Sequence, residues 1–297
     1  MRSVLPVSVY DLYQLPKTKR RIISTVSLIA LVFFLFLSVG VISFIFKTRY
    51  DTISSQKTFT SEEIDRIVVQ AGFARVVVIP HDTNDVVVGV SKLMLVHKTH
   101  KRKSISTLYV SQGKTHKHSS VELYVPRHKV LDLLKIVVDK GSVVLRKGVH
   151  AKTANIVGQK TKITVKGADV DDLLVRTLSG NIEVRESTAN NMADVHSTFG
   201  TINALHMTGS DLSASTATGN IVVKLHTDVE FTYDILSKKG VVENKGFSMS
   251  SQVGATMHNE AETAMNVNVR TIMGDIYIAK TTTPSYHFFP SIVMAEL

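Results

Sequence analysis

Acidic side chains that could act as a general acid and base lie close together at one place in the chain. Asp169, Asp171 and Asp172 precede a run of apolar residues. A glycosidase site needs two carboxylates on either side of a bond, and a calcium site needs about six to eight oxygens, so both require partners from elsewhere in the fold. The residues one repeat away are Lys152 and 190–191 (NN), which carry no carboxylate. We therefore expect these aspartates to bond the backbone of a local turn, and we assign no catalytic residue.

Histidine is the second residue type that could do chemistry, and the chain contains 12 of them. His97 and His100 are close in sequence, and His116 and His118 would share one face of an extended strand. A zinc site usually has three or four ligands with supporting carboxylates or carbonyls, whereas lysines surround both pairs. Cysteine is absent, which excludes thiolate ligands and cysteine nucleophiles. We assign no metal and no cofactor, and we expect a protein that is not an enzyme.

Cations are concentrated in one segment, which carries much of the formal net charge of +10. Residues 97–103 (HKTHKRK) and 113–118 (GKTHKH) flank a strand predicted over 104–112. If the two runs form a hairpin, their cations gather at one end and can bind phospholipid headgroups, an anionic polymer or an acidic protein. Sparse aromatic residues argue against nucleic acid. The candidate contacts are Lys98, Lys101, Arg102, Lys103, Lys114 and Lys117. The alternative is that these are solvated charges that keep a sheet edge unpaired.

The elements that must position these side chains are repeats of a glycine followed by alternating apolar residues. The repeats begin at Gly141, Thr161 (which lacks the glycine), Gly180, Gly200, Gly219, Gly240 and Gly274, at intervals of 20, 19, 20, 19, 21 and 34 residues. A polar insertion near 248–262 accounts for the long interval. A unit of about 20 residues cannot bury its own apolar face, so the copies must stack, with glycine at each corner. This predicts an all-β fold, a single-stranded parallel β-helix or β-solenoid of about seven coils, with an antiparallel sandwich as the alternative.

An uncharged segment precedes the repeats. Residues 22–46 contain no charged side chain, and as an α-helix they would span about 37 Å, enough to cross a bilayer core. The segment is longer than the apolar part of a cleaved signal peptide and ends without small residues. We therefore expect one uncleaved transmembrane helix. The excess of cations before it predicts a cytoplasmic N-terminus and an extracytoplasmic C-terminal domain. An organelle membrane, such as the mitochondrial inner membrane, is the alternative location.

These predictions divide the chain into five parts. Residues 1–21 are a cytoplasmic segment, 22–46 the transmembrane helix, 47–63 a juxtamembrane linker, 64–282 the β-solenoid domain and 283–297 a C-terminal tail. The tail is apolar in 286–297 (YHFFPSIVMAEL), so it would cap the last coil or dock on a partner.

Four runs of residues resemble a known family. They are 121–126 (VELYVP), 134–145 (LKIVVDKGSVVL), 178–184 (LSGNIEV) and 217–223 (ATGNIVV). Together they are similar to the "putative adhesin" family of bacterial cell-surface β-solenoid domains, over roughly 64–282. The resemblance implies the solenoid fold and an adhesion-type role, often with an N-terminal anchor, and it brings no catalytic residues. The departures are Thr161, the unit at Gly240, the insertion and the basic segment near residue 100.

The sequence therefore predicts a membrane-anchored, non-catalytic binding or scaffold protein. Its expected partners are the lipid bilayer and a protein or an anionic polymer. The alternative is a structural accessory subunit of a larger membrane assembly, which the apolar tail favours. A carbohydrate-active β-helix enzyme is a third hypothesis, and the lack of a convergent carboxylate cluster disfavours it.

Overall fold

The computed structural model describes residues 53–91, 94–100, 106–112, 118–226, 231–245, 252–253, 256–259 and 265–281. Apart from a 3₁₀ turn at Ser61–Glu63, their regular structure consists of strands. The strands are β1 (Ser55–Thr60), β2 (Arg66–His81), β3 (Asp85–Val90), β4 (Met94–His100), β5 (Ser106–Gln112), β6 (Ser119–Pro126), β7 (Val130–Leu145), β8 (His150–Lys166), β9 (Asp169–Ser179), β10 (Ile182–Arg185), β11 (Thr188–Phe199), β12 (Ile202–Leu205), β13 (Thr208–Thr218), β14 (Ile221–His226), β15 (Phe231–Ser237), β16 (Val241–Lys245), β17 (Gln252–Val253), β18 (Thr256–Asn259), β19 (Met265–Met273) and β20 (Ile276–Thr281).

The predicted transmembrane helix, 22–46, lies outside the described residues. Among the residues that are described, no helix is long and apolar enough to cross a membrane. The all-β prediction for the repeats is confirmed, and the transmembrane helix stays a prediction.

Each coil has a first and a second strand, which in β2, β7 and β8 are the two halves of one continuous strand. Side chains along both alternate between the interior and the surface. Ile182, Val184, Ile202 and Val223 are fully buried. The residues between them, such as Glu183 and Asn203, are only partly covered. Complete burial of one isoleucine or valine stabilises the fold by about 1.5–3 kcal/mol, and this gain recurs in every coil. The alternating apolar residues of the repeats therefore form the interior of these strands, and polar residues lie at their surface.

The first strands of the coils form one parallel ladder and the second strands form another. Residues 66–70 of β2 pair with β5 on one side and β7 on the other, and residues 74–78 pair with β6 and β7. The ladders continue through β8 into β9 and β10, and then through β11 and β12 into β13 and β14. An extra residue between Ala189 and Met192 bulges out of β11, which accounts for the 20-residue interval between Gly180 and Gly200.

The order of the coils in space differs from their order in sequence at both ends of the described stack. In spatial order the coils are 106–126, 66–81, 130–145, 150–166, 169–185, 188–205, 208–226, 265–281 and 231–245. The described residues thus form nine coils rather than about seven, because 66–81 and 106–126 each add one. The last coil in sequence lies between its two predecessors.

Antiparallel strands cover the outermost coils. At one end β4 pairs with β5, while β3 pairs with β6 and carries β1 on its other edge. At the other end β18 pairs with β15 and β17 pairs with β16. The predicted insertion near 248–262 therefore contains two short strands rather than only irregular chain. Covering the edges in this way leaves fewer backbone groups open to pairing with other chains.

Candidate binding surface

The glycines of the repeats stack on one another at the corner between the two strands, forming what we call the glycine column. A Cβ built on Gly180 would lie 2.2 Å from the backbone oxygen of Thr161, and one on Gly219 would lie 2.2 Å from that of Gly200. Gly219 also has a φ of +142°, a conformation that strains other residues. The predicted role of glycine at each corner is therefore correct, and close backbone approach is its main cause.

A buried hydroxyl precedes most corner glycines by three residues. Ser197 Oγ donates to the Gly180 carbonyl (3.1 Å), and Thr216 Oγ1 donates to the Gly200 carbonyl (3.3 Å). Thr177, Thr271 and Ser237 make the corresponding bonds to the neighbouring coil. These bonds give the corner carbonyl groups a hydrogen-bond donor from the neighbouring coil. The signal for this feature is a Ser/Thr-x-x-Gly motif, which the sequence analysis did not use.

Asparagine or aspartate directly after the glycine joins neighbouring coils on the outside. Asn181 Oδ1 accepts a hydrogen bond from the Thr201 amide (3.1 Å), and Asn220 Oδ1 accepts one from the Asp275 amide (2.9 Å). Asp275 in turn accepts one from the amide of Val241 (2.9 Å). The Gly-Asn/Asp-Ile motif therefore sets the register of successive coils, and it holds the outward side chains in straight columns.

Charges on the outer face of the first strands are paired between coils. Arg176 donates to Asp194 (2.5 Å), and Arg270 donates to Asp234 (2.8 Å). Lys152 lies 2.8 Å from Asp132, and this hydrogen bond and charge raise the pKa of the lysine. Such exposed pairs contribute little stability, but they cancel charge along this face.

The aspartates near residue 170 take part in the same pattern. Asp169 lies 3.2 Å from His150 Nδ1, and Asn190 Nδ2 donates to Asp171 Oδ1 (3.1 Å). These two side chains contact neighbouring coils, so the prediction that they bond a local turn is wrong for them. Among the described residues, no group of three or more His, Cys, Asp or Glu is arranged to hold a metal ion.

The basic residues singled out in the sequence lie only partly within the described structure. Lys98 is in β4, only 15% of its side chain is exposed, and it forms an ion pair with Glu63 (2.5 Å). Next to it in sequence, the ring of His97 stacks on that of Tyr109. Lys101, Arg102, Lys103, Lys114 and Lys117 lie outside the described residues. The first four residues of the first basic run, 97–100, belong to β4, which pairs antiparallel with β5 and lies beside its residues 106–109.

Sequence reasoning missed a second set of cations, which lies on the outer face of the second strands. Lys166 and Arg185 are register partners, as are Arg185 and Leu205, and then Leu205 and Lys224. Arg146 precedes them, because Leu145 pairs with Val165. Further along, Ala279 pairs with both Lys224 and Lys245. We call Arg146, Lys166, Arg185, Lys224 and Lys245 the cation column. Only the strand registers bring these residues together, since about 20 residues or more separate them in sequence.

Directly after the second strand of each coil, beside the cation column, the chain turns again. Three of the residues at this second corner have left-handed backbone conformations. Gly167, Glu186 and His206 have φ values of +57°, +50° and +54°. Burial lowers the pKa of His206, and the nearby His226 and Lys224 lower it further. This histidine therefore gains a proton less readily in the folded chain.

Four large apolar side chains remain about half exposed near the glycine column: Leu178, Phe199, Ile272 and Met273. Phe199 and Met273 are both register partners of Thr218, on either side of it. They therefore form a discontinuous apolar strip along this corner.

Taken together, the geometry defines a β-solenoid whose coils carry columns of outward side chains at constant spacing. The chain belongs to the Toastrack DUF4097 family, whose model matches residues 64–280. This confirms the resemblance drawn from the repeats. No curated protein matches the chain.

Two solved structures are similar to the chain. One is described as a putative cell adhesion protein from Clostridium sporogenes, with 12% identity, 76% of this chain and 98% of that chain covered, and a TM-score of 0.37. The other is described as a putative adhesin from Bacteroides fragilis, with 13% identity, 78% and 99% coverage, and a TM-score of 0.40.

Proposed function

We propose that the chain is a membrane-anchored, non-catalytic binding protein, adhesin-like in role, that presents its β-solenoid outside the membrane. The observation that carries this proposal is the constant spacing of the outward side chains, which the tight stacking at the corners imposes. Glycine contacts and buried hydroxyls fix how closely the coils approach, so outward side chains repeat at about 4.8 Å. An array of this kind suits an extended partner, because it offers the same contact at regular intervals without rearrangement.

The anchoring part of the proposal rests on the sequence. Residues 22–46 carry no charge, and the cations that precede them favour a cytoplasmic N-terminus. Placing the solenoid on the other side of the membrane would expose its columns to extracellular or lumenal partners.

Alkaline carbonate extraction of membranes from expressing cells tests the anchor. The full chain should stay in the membrane pellet and enter the soluble fraction only with detergent, because its helix would be embedded in lipid. A variant that lacks 22–46 should be soluble without detergent. Release of the full chain by carbonate alone would contradict the proposal.

Protease added to intact cells tests the orientation. It should digest the solenoid, and protection of the solenoid would contradict the proposed orientation.

A second candidate function is that of an accessory subunit in a larger membrane assembly. The apolar strip at Leu178, Phe199, Ile272 and Met273 favours it, because protein partners cover such strips. Sizing of the detergent-extracted chain tests this candidate, and a lone monomer would contradict it. The substitution Phe199→Thr, which copies the register partner Thr218, should reduce assembly without disturbing the coil.

A further inference from the structure

The cation column places like charges next to one another. Lys166 and Arg185 are register partners, about 4.8 Å apart along the stack. Arg146 directly follows Leu145, whose partner Val165 directly precedes Lys166, so Arg146 stands at the equivalent position of the preceding coil. Like charges directly opposite one another on neighbouring strands destabilise a sheet. Arg185 is paired with Glu183 of its own strand, whereas Arg146 and Lys166 make no ion pair with any residue that the structure describes.

The same fold neutralises charge elsewhere, so the column is not a consequence of the architecture. On the first strands, Arg176, Arg270 and Lys152 each face an aspartate of a neighbouring coil. A coil can therefore place an acidic side chain beside a cation of its neighbour. On the second strands, neither Arg146 nor Lys166 has such an acidic partner among the described residues. An anionic partner supplied from outside would remove this repulsion.

The column is a straight row rather than a compact cluster. From Arg146 to Lys245 it extends over seven coils, about 29 Å, with Leu205 and Ala279 as interruptions. Lys147 adds a cation beside the first part of the row. The side chain of Lys147 packs over Gly167, since a Cβ built on Gly167 would lie 2.5 Å from the Cγ of Lys147. A row of this kind matches a linear chain of anions better than a single ion.

The side chains that flank the row narrow the choice of partner. Beside its first three members lie Val144, Thr164 and Glu183, none of them aromatic. Two aromatic rings lie only towards the ends of the row: Tyr124 near Arg146, and Tyr277 under Lys245. Bases of single-stranded nucleic acid would therefore find no continuous stacking surface along it. Glu183, and Glu243 further along, would repel a continuous anionic plane such as a lipid surface. Thr164 and Asn203 offer hydrogen bonds on the same face.

We propose that the cation column binds a linear acidic polysaccharide of the polyuronic type. Such a polymer carries one carboxylate on each sugar ring, and a ring is about as long as the distance between coils. Carboxylates would pair with the cations of successive coils, and sugar hydroxyls would bond the flanking Thr and Asn side chains. This inference deepens the proposed binding function and rests on it.

Binding of an oligogalacturonide to the full chain in detergent micelles tests the inference. The unaltered chain should bind this oligosaccharide and should not bind its methyl-esterified, uncharged form. The triple variant R146Q/K166Q/R185Q should bind about tenfold more weakly, as expected from the loss of three exposed ion pairs. The control K152Q/R176Q/R270Q removes the same charge from the paired face and should bind within about twofold of the unaltered chain.

Three outcomes would overturn the inference: no binding by the unaltered chain, an equal loss of affinity in both triple variants, or equally tight binding of a thymidine oligonucleotide of the same charge.

Thermal melting separates a structural role of the cation column from a binding role. Because R146Q/K166Q/R185Q removes adjacent like charges, it should melt no lower than the unaltered chain, and a lower melting temperature would show that the column stabilises the fold. A chain that resists carbonate extraction but ignores the oligogalacturonide would refute this inference alone.

Discussion

Thr161 occupies the space that a side chain at Gly158 would need, since a Cβ at Gly158 would lie 2.5 Å from the Cβ of Thr161. In the coils that follow, the hydroxyl stands three residues before the corner glycine. In this coil the two residue types have exchanged places. Thr161 is fully buried, and its Oγ1 donates to the Val138 carbonyl (2.6 Å). The coil thus keeps one glycine and one hydroxyl at its corner, which explains how it stacks without the expected glycine.

This exchange predicts strong coupling between the two positions. Gly158→Thr alone should destabilise the chain by about 1–3 kcal/mol, because the new side chain collides with Thr161. Thr161→Gly alone should cost a similar amount, because the Val138 carbonyl loses its buried donor. The double variant G158T/T161G restores the order found in the later coils. Its loss in the free energy of unfolding should be smaller than the sum of the two single losses by at least about 1 kcal/mol. Urea unfolding followed by circular dichroism measures this, and strictly additive losses would contradict the explanation.

The glycine column predicts that two glycines respond differently to the same substitution. Gly180→Ala should lower the free energy of unfolding by about 2 kcal/mol or more, because its methyl group would lie 2.2 Å from the Thr161 carbonyl oxygen and the backbone must move. Gly72→Ala is the matched control, since its nearest neighbour would be 3.9 Å away. It should be neutral or slightly stabilising. Equal losses in the two variants would show that close backbone approach does not explain the column.

The spatial order of the last coils can be tested with engineered disulfides, because the chain has no cysteine of its own. Ser213 and Asn268 are register partners, as are Asn268 and Asp234. S213C/N268C should therefore form a disulfide, with Cα atoms about 4.8 Å apart. S213C/D234C should not, since coil 265–281 separates the two residues. Non-reducing electrophoresis after mild oxidation distinguishes the pairs, and the reverse result would mean that the coils follow sequence order.

His206 predicts a dependence of stability on pH. Its pKa in the folded chain is lowered by burial, then by His226 and Lys224, whereas the unfolded chain has the ordinary value of about 6.5. The unfolded state therefore takes up a proton first as pH falls. Stability is fully present above about pH 6.5, declines as pH falls through that value and levels off below the folded pKa. His206→Asn keeps a residue that tolerates the left-handed backbone and should remove this decline. Unfolding curves at several pH values that are identical for both chains would contradict the assignment.

Much of the corner could be predicted from the sequence, whereas the order of the coils could not. The positions of Gly180, Gly200 and Gly219 follow from their intervals, since a stacked turn must recur at nearly constant spacing. The long interval before Gly274 indicated an insertion, but interval alone does not say which coils become neighbours. Any coil with the same alternating interior can join a parallel ladder, so 265–281 fits between two others as well as at the end.

The cation column, the proposed binding surface, was equally hard to predict. The basic run near residue 100 is conspicuous because its cations are consecutive, yet Lys98 is engaged with Glu63. Arg146, Lys166 and Arg185 are inconspicuous in the sequence, because none belongs to a long basic run and 19 or 20 residues separate each from the next. Periodicity of charge, counted from the corner glycine of each repeat, would have found them.

The salt dependence of oligogalacturonide binding tests most directly the claim that regularly spaced outward cations contact an extended anionic partner. Each cation that pairs with the polymer displaces a bound counterion, so the slope of log affinity against log salt concentration reports the number of such contacts. We predict that R146Q/K166Q/R185Q reduces this slope by about two to three, and that K152Q/R176Q/R270Q leaves it unchanged. An identical slope for the unaltered chain and R146Q/K166Q/R185Q would contradict the claim.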